Sequence, residues 1–518
     1  MSEPGPTEDQ YAATLELLSS LITQDRRGAG QWETVHEYMG SWVQRLGLER
    51  PLEKLSVIHV AGTKGKGSTC AMIESILRSC GYTTGLFTSP HLVDVRERIR
   101  LNGLPISKEK FVASFAQCHD RLKETSDGQI GMAAYFRFLT LLGLQVFTEE
   151  KVDVAILEVG LGGRLDATNC IPSPPVCGVT SLGMDHVEIL GDTIEKIAAE
   201  KAGIFKPGSR AFTVIQQPSA MQVLEEKAAS ANIKLSVARS LDELHQSDGA
   251  PIHFGLAGAY QRINAALAIE LAACWEDRVM AHSSSPQRHQ AAARVELLQS
   301  GRLPESYKEG LRRCIWPGRA QVIRDPTSPD MGPGVTFYLD GAHTEESMAS
   351  CGEWFHDAVQ QAAALTPGLA TQRVLLFNCM QERDPGKLLK SLATTMQQQQ
   401  LPFHHAVFTP PDSQYGKLKA AGIDSARDVS WQHTLCRAWT SQVGSHPQES
   451  QLMAVLPELG QGPAQDSQSG AVAPGLSSSI QWLRTCAQEN PHLQIEVLIT
   501  GSLYLVGDVL KLLGKAPT

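Results

Sequence analysis

The sequence predicts an α/β protein of two domains, each built on a mostly parallel sheet, and three observations carry that expectation. Short β-branched runs alternate with longer helical patterns from Leu55 onward, which is the pattern of a parallel sheet with crossover helices. The alternation weakens between Ala281 and Ser300 and then resumes. One strand-to-helix junction also carries a glycine-rich turn of the phosphate-binding kind. The chain has 518 residues, too many for a single module at about one domain per 150 residues.

In chain order, SVIHV is read as a strand and leads to a helix from Thr69 to Cys80. TTGLF, VDVAILEV, VCGVTSL and AFTVI are further strands with helical stretches between them. Ala281 to Ser300, rich in Ser, Gln, His and Ala, precedes the compact Trp316-Pro317-Gly318-Arg319. The expected domains are therefore 1–310 and 311–518. VTFYLD, RVLLF, HAVFT and IEVLIT build the second, smaller α/β unit. Residues 444–478 are dense in Ser, Gln, Gly and Pro and are expected to be a solvated, disordered insertion.

Lys and Arg number 46 against 55 Asp and Glu, a net charge of −9 with only 19% charged residues. Such a field repels nucleic acid and anionic lipid, so an anionic ligand must meet a local cationic pocket. The 42% hydrophobic content supports sizeable cores, and no apolar run approaches the roughly 18 residues of a membrane span. MSEPGPTEDQ resembles neither a secretory signal nor a mitochondrial leader. The expected location is cytoplasmic, and a mitochondrial isoform with an added leader is compatible with it. Eleven scattered Cys without a CxxC pair are expected to be reduced core thiols.

The most informative segment runs from Val57 through Gly62, Thr63, Lys64, Gly65, Lys66, Gly67, Ser68 and Thr69. Glycines admit close backbone approach, the loop amides and the helix N-terminus hold phosphate oxygens, and Lys66 neutralises β/γ charge. Gly67 separates Lys66 from Ser68, unlike the ordinary GxxxxGK[ST] loop. The segment is a nucleotide site, ATP by its lysine, with a glycine-rich linker as the alternative.

In an open parallel sheet ligands sit beyond the carboxyl ends of the strands. Glu158 closes VDVAILE and precedes a Gly-rich turn from Val159 to Asn169. A carboxylate there suits Mg²⁺, with a helix cap or salt bridge as the alternative. Asp185 and His186 follow VTSLGM in the same way, for a metal or for structure. Thr88-Ser89-Pro90-His91 follows TTGLF and leads into Arg96, Arg98 and Arg100. Their alternation places the three on one face of an extended segment, available to an anion or merely solvated, with solvation expected for at least two. Lys201, at a helix end before Gly203, alone reads as a dipole partner.

Together AGTKGKGST, GLFTSPHLVDVRERIRLNG, YFRFLT, LEVGLGGRLDATN, SLGMDH, EKIAAEKAGIFK, WPGR, YLDGAH and ITGSLYLVG resemble, in order, the folylpolyglutamate synthase branch of the Mur ligase superfamily. The resemblance covers nearly the whole chain, from about Tyr11. It implies a Mur ligase-like fold: an ATP-binding, P-loop-type central domain with N-terminal helices and a smaller Rossmann-like ligase domain, the active site lying between them. It implies that Gly65, Lys66, Gly67 and Ser68 hold ATP phosphates and that Ser89, Glu158 and His186 ligate Mg²⁺. Lys201 matches a lysine that many members carbamylate, which makes it an oxygen ligand for a second Mg²⁺; a phosphate counter-ion is the alternative. Asn264, in GAYQRINAALA, resembles an adenine-side residue, with Arg319 and Asp340 completing the ATP site. His343 and Ser502 resemble the residues at the incoming glutamate. Tyr260 stands where many relatives have His.

The implied substrates are ATP, L-glutamate and tetrahydrofolate or its polyglutamates, handled by a monomer that binds no nucleic acid. Amide formation in water is uphill, so the folate γ-carboxylate is expected to become an acyl phosphate first, with Lys66, Lys201 and His343 as catalytic residues. His343 serves either as a base or to orient glutamate. Two alternatives stand beside this: dihydrofolate synthase activity and, of another class, a P-loop switch or motor ATPase without ligase activity.

Overall fold

The computed structural model describes residues 7–22, 30–126, 130–244, 252–280, 287–328, 332–365, 368–413, 428–443 and 470–515. Two compact units emerge. The first comprises 1–255 and 261–315, and the second 256–260 and 316–517, with terminal Thr518 grouped with the first. The division after Ile315 lies slightly beyond the expected residue 310, and Leu256–Tyr260 group with the second unit.

The first unit holds eight strands: β1 (Val57–Ala61), β2 (Thr84–Phe87), β3 (Ile99–Leu101), β4 (Leu104–Pro105), β5 (Val154–Glu158), β6 (Val176–Val179), β7 (Arg210–Thr213) and β8 (Leu235–Val237). Their order is β4-β3-β2-β5-β1-β6-β7-β8. From β2 to β8 every neighbouring pair is parallel, while β3 and β4 join antiparallel at one edge. β1, β5 and β6 are buried throughout, as expected for sheet strands covered on both faces. One core packs Phe111, Phe115, Phe138, Leu139 and Phe147 of the helices Lys108–Glu124 and Tyr135–Glu149 with Tyr11, Leu18 and Trp42. Another packs Val179 and Ala211 with Ala198, Ile204 and Leu224.

The stretch Ala281–Ser300 departs from expectation, because Gln287–Gln299 is a helix. Its buried face carries Ala291 and Leu298, with a polar anchor between them. Arg294 is ion-paired with Glu276, a 1% exposed carboxylate that also accepts from Tyr82 (2.8 Å) and Tyr307 (2.9 Å). Residues 281–286 lie outside the described residues.

The arginine expectation is also corrected. Val95–Arg98 is a 3₁₀ turn, so the extended-face argument does not hold. Arg98 and Arg100 are each only 8% exposed. Arg98 donates to His91 Nδ1 at 2.9 Å and stacks over Tyr135, while Arg96 pairs with Asp94 at 3.0 Å.

The second unit holds β9 (Gln321–Arg324), β10 (Val335–Leu339), β11 (Ala370–Phe377), β12 (His405–Phe408), β13 (Gly470–Val472) and β14 (Leu493–Thr500), in the order β13-β12-β11-β14-β10-β9. Only β9 runs antiparallel to its neighbour. Trp354, Phe355, Leu389, Leu392, Leu435 and Trp439 from three helices cover Tyr338, Leu375 and Leu498 on one face. Of the expected insertion 444–478, Gly470–Val472 is instead strand β13 and Leu476 begins a helix, because Ala473, Leu476 and Ile480 are buried apolar anchors. Residues 444–469 lie outside the described residues. All eleven Cys are free and ten are buried. Among the described residues no helix is long and apolar enough to cross a membrane.

Candidate active site

β1 lies between β5 and β6, so the chain leaves these three neighbouring strands at one carboxyl edge, where the strand order reverses and a crevice opens. From β1 it turns into the helix Lys66–Ser79, beginning earlier than the expected Thr69. The first intrahelical donor is Thr69, to Gly65 O at 2.8 Å. The preceding amides of Lys66, Gly67 and Ser68 are therefore directed to a ligand at the positive end of the helix. Thr63 and Lys64 are engaged differently. Both their amides donate to Ser181 O at 3.1 Å, and the Thr63 hydroxyl exchanges hydrogen bonds with Gly183. The phosphate loop is thus moored to the loop that carries Asp185 and His186. Lys66 Nζ reaches Thr63 O at 3.3 Å, over its own loop.

Gly65 has φ +83°, and a Cβ there would lie 2.1 Å from Asn264 Oδ1. Backbone conformation and neighbour both require glycine at this position. Asn264, expected on the adenine side, packs against the phosphate loop. Its Nδ2 donates to Gln261 Oε1 at 2.9 Å, and Gln261 Nε2 donates to Ser68 Oγ at 3.3 Å. Gln261 follows Tyr260 as is usual in the family, but the sequence assigns it no role. The signal available was its spacing of three from Asn264 on one helical face.

Pairing of β2 with β5 matches Phe87 with Leu157 and brings the next residues, Thr88 and Glu158, to one sheet end. The Ser89 amide donates to Glu158 Oε2 at 2.9 Å, and Glu158 is 5% exposed. The loop after Ser89 is held by a further unexpected residue: the buried Glu97 carboxylate accepts from the amides of Leu92, Val93 and Asp94. Beyond Glu158, Asp166 accepts from the Gly160 and Leu161 amides and from Thr168. Burial raises its pKa against those bonds.

Lys201 ends the helix Ile194–Lys201 and donates to Gly62 O at 2.8 Å, at the root of the phosphate loop. Burial, then the nearby charge of Lys66, lowers its pKa to about 7. His186 sits at φ +50°, its half-exposed ring 3.8 Å from Asp185 and 3.9 Å from Glu188. Among the described residues no three His, Cys, Asp or Glu side chains form a ready-made metal cluster. The donors nonetheless fit Mg²⁺: Glu158 and Ser89 are hard oxygen ligands held side by side. A magnesium ion usually takes few protein ligands and completes its shell with water and phosphate oxygens.

In the second unit Asp340 follows β10 and Ser502 follows the adjacent β14. Asp340 is 5% exposed and accepts from the Ala320 amide (2.9 Å) and the Tyr260 hydroxyl (3.0 Å). Burial raises its pKa while neighbouring Arg319 lowers it. Gly341 leaves room for that arginine, since a Cβ would lie 2.4 Å from Arg319 Nη1. His343 Nδ1 is 2.8 Å from Gly341 O. A carbonyl only accepts, so the proton of this bond sits on Nδ1. Ser502 caps the helix Leu503–Leu512, accepting from the Tyr504 amide at 3.2 Å, and retains its hydroxyl proton to donate. The structure therefore groups Gly65, Lys66, Gly67, Ser68, Ser89, Glu158, Lys201 and Asn264 around one sheet edge of the first unit, with His186 on the adjoining loop. Arg319, Asp340, His343 and Ser502 cluster at one sheet edge of the second.

No family model matches the chain, but full-length relatives do. It is 40% identical over 560 residues to a folylpolyglutamate synthase of Arabidopsis thaliana, covering 98% of this chain and 88% of the relative. It is 41% identical over 552 residues to the mitochondrial folylpolyglutamate synthase of Homo sapiens, covering 97% and 90%. Among solved structures, Mycobacterium tuberculosis folylpolyglutamate synthase complexed with ADP and AMPPCP is similar, with a TM-score of 0.68, 24% identity, and coverage of 98% of this chain and 100% of that one. Escherichia coli FolC in complex with DHPP and ADP gives a TM-score of 0.63 at 22% identity, covering 97% of each. These structures share the fold, and with the full-length relatives the conclusion follows that the chain belongs to the folylpolyglutamate synthase family.

Proposed function

We propose that this chain adds L-glutamate to the γ-carboxylate of tetrahydrofolate and its polyglutamates through an acyl phosphate, using ATP. Family membership supports the overall reaction, ATP-dependent glutamate addition to folates. The single observation that carries the residue-level reading is the phosphate loop, whose free helix-start amides and Lys66 stand beside the Ser89–Glu158 pair.

The γ-carboxylate oxygen attacks the terminal phosphorus, and the bond to the bridging oxygen breaks to release ADP. Lys66 and the amides of Lys66 to Ser68 hold the triphosphate in line and neutralise its charge. Ser89, Glu158 and His186 would hold Mg²⁺, which supplies charge neutralisation at the phosphate oxygens when bound. Lys201, once carbamylated, would add an oxygen ligand and give up its bond to Gly62. As an amine it remains a phosphate counter-charge. Asn264 supports the loop, and Arg319 and Asp340 are assigned to the nucleotide by family resemblance. The glutamate α-amine then attacks the acyl carbon, a C–N bond forms, and phosphate leaves. Ser502 and the start of its helix suit a glutamate carboxylate. His343 serves either as a base for the amine proton or to orient the glutamate carboxylate. A cytoplasmic monomer is the accompanying expectation.

A P-loop switch or motor would hydrolyse ATP without folate. Measuring ADP release with and without each co-substrate separates the two. ADP formation that requires folate and matches glutamylated product supports the ligase. Equal ADP formation without folate would refute it.

A further inference from the structure

We propose that Gln261 is a positioning residue that sets the orientation of the Ser68 hydroxyl for the bound triphosphate; the inference rests on the ATP-site reading above. Gln261 is 1% exposed, and Asn264 and Ser68 are 4% exposed each. Three buried polar side chains against a loop are costly unless each finds a partner. Farther along the same helix the buried contacts are mostly apolar, Ala265, Leu267, Ile269, Leu271 and Trp275, and the one buried charge, Glu276, is paired with Arg294. The polar exception is confined on this side to the first turn, facing Gly65 and Ser68.

The placement of the two amides sets the direction of the bonds. Asn264 Nδ2 can only donate, so the atom it meets on Gln261 is the oxygen, and the Gln261 nitrogen then faces Ser68. Ser68 Oγ therefore accepts. Its own proton and remaining lone pair are turned away from Gln261, and the free rotation of a serine hydroxyl is lost before the nucleotide arrives. Preorganisation of that kind favours the bound triphosphate because no reorientation is needed at the moment of reaction. Asn264 holds the relay in place from both sides, through Gln261 and through its contact over Gly65.

A double-mutant cycle on the full chain tests this, with kcat/KM for ATP, KM for folate and Tm measured for Gln261→Leu, Ser68→Ala and the pair. The expected result is a loss of about tenfold in kcat/KM for ATP in Gln261→Leu, the size of one hydrogen bond, with KM for folate unchanged. In the Ser68→Ala background the same change should cost less than about twofold, because the interaction is already gone. Gln261→Glu keeps the size and the acceptor for Asn264 but turns the donor toward Ser68 into an acceptor. It carries the test if Gln261→Leu does not fold, and a comparable loss in kcat/KM is expected. Losses that multiply in the double variant, or unchanged kcat/KM in a folded Gln261→Leu or Gln261→Glu, would overturn the proposal while leaving the ATP site intact. A Ser68→Ala variant with unaltered kcat/KM would remove the ATP-site reading itself, and the proposal with it.

Discussion

The two units hold polar side chains at the ends of parallel strands by different means. In the first, loops brace one another: Thr63 and Lys64 on Ser181, Ser89 on Glu158, Lys201 on Gly62, and Gln261 on Ser68. In the second, His343 and Ser502 bond near neighbours, Gly341 and Tyr504, beside longer braces from Asp340 to Ala320 and Tyr260 and from Asn378 to Gln432. Cross-braced loops present a fixed set of donors and charges, which suits a triphosphate whose transfer depends on positioning. Locally closed turns suit recognition of an amino acid by a few separable contacts.

The sharpest test of that contrast is Lys66→Ala. Removing the charge from a preorganised loop should cost about a thousandfold in kcat/KM for ATP, with Tm changed little because Lys66 bonds only its own loop in the folded chain. A large drop in Tm with modest loss of turnover would make the loop a structural element.

A second difference concerns pH. In β14 Glu496 is 4% exposed, opposite Arg373 on β11, and burial raises its pKa from 4.5 to about 7 against the pull of Arg373. The folded state therefore holds this proton more tightly than the unfolded chain. The stability it contributes is fully present below pH 4.5 and is lost as pH rises through about 7. Glu496→Gln should stabilise the second unit by about 2 kcal/mol at pH near 8, with the gain vanishing toward acid. Hydrogen exchange at β11 and β14 across pH measures it, and no pH-dependent difference would contradict the assignment.

The smallest effect belongs to Ser502→Ala. Loss of a helix cap should cost about 1 kcal/mol, together with a higher KM for glutamate and an unchanged KM for ATP. A rise in KM for ATP alone would remove Ser502 from the glutamate side.

The strands and the phosphate loop were legible because their signals are local. An apolar run, a glycine turn and a polar residue closing a strand sit next to one another in sequence. The braces were not legible. Gln261 meets Ser68 from 193 residues away, and nothing about a lone Gln announces that partner. Nothing local in the sequence marks Glu97, although its carboxylate closes a loop through three amides. At least two of Arg96, Arg98 and Arg100 were expected in solvent, on one face of an extended segment, whereas a 3₁₀ turn intervenes and neighbours cover Arg98 and Arg100. Gln287–Gln299 was hard to read because its buried stripe is short, only Ala291 and Leu298 being apolar anchors, with the Arg294–Glu276 ion pair lying between them.

The central claim is that the terminal phosphoryl group passes to the folate carboxylate before glutamate attacks. Folate labelled with heavy oxygen in its γ-carboxylate, supplied with ATP, Mg²⁺ and glutamate, should release phosphate that carries the label alongside a folate longer by one glutamate. Glutamylated folate accompanied by unlabelled phosphate would contradict it.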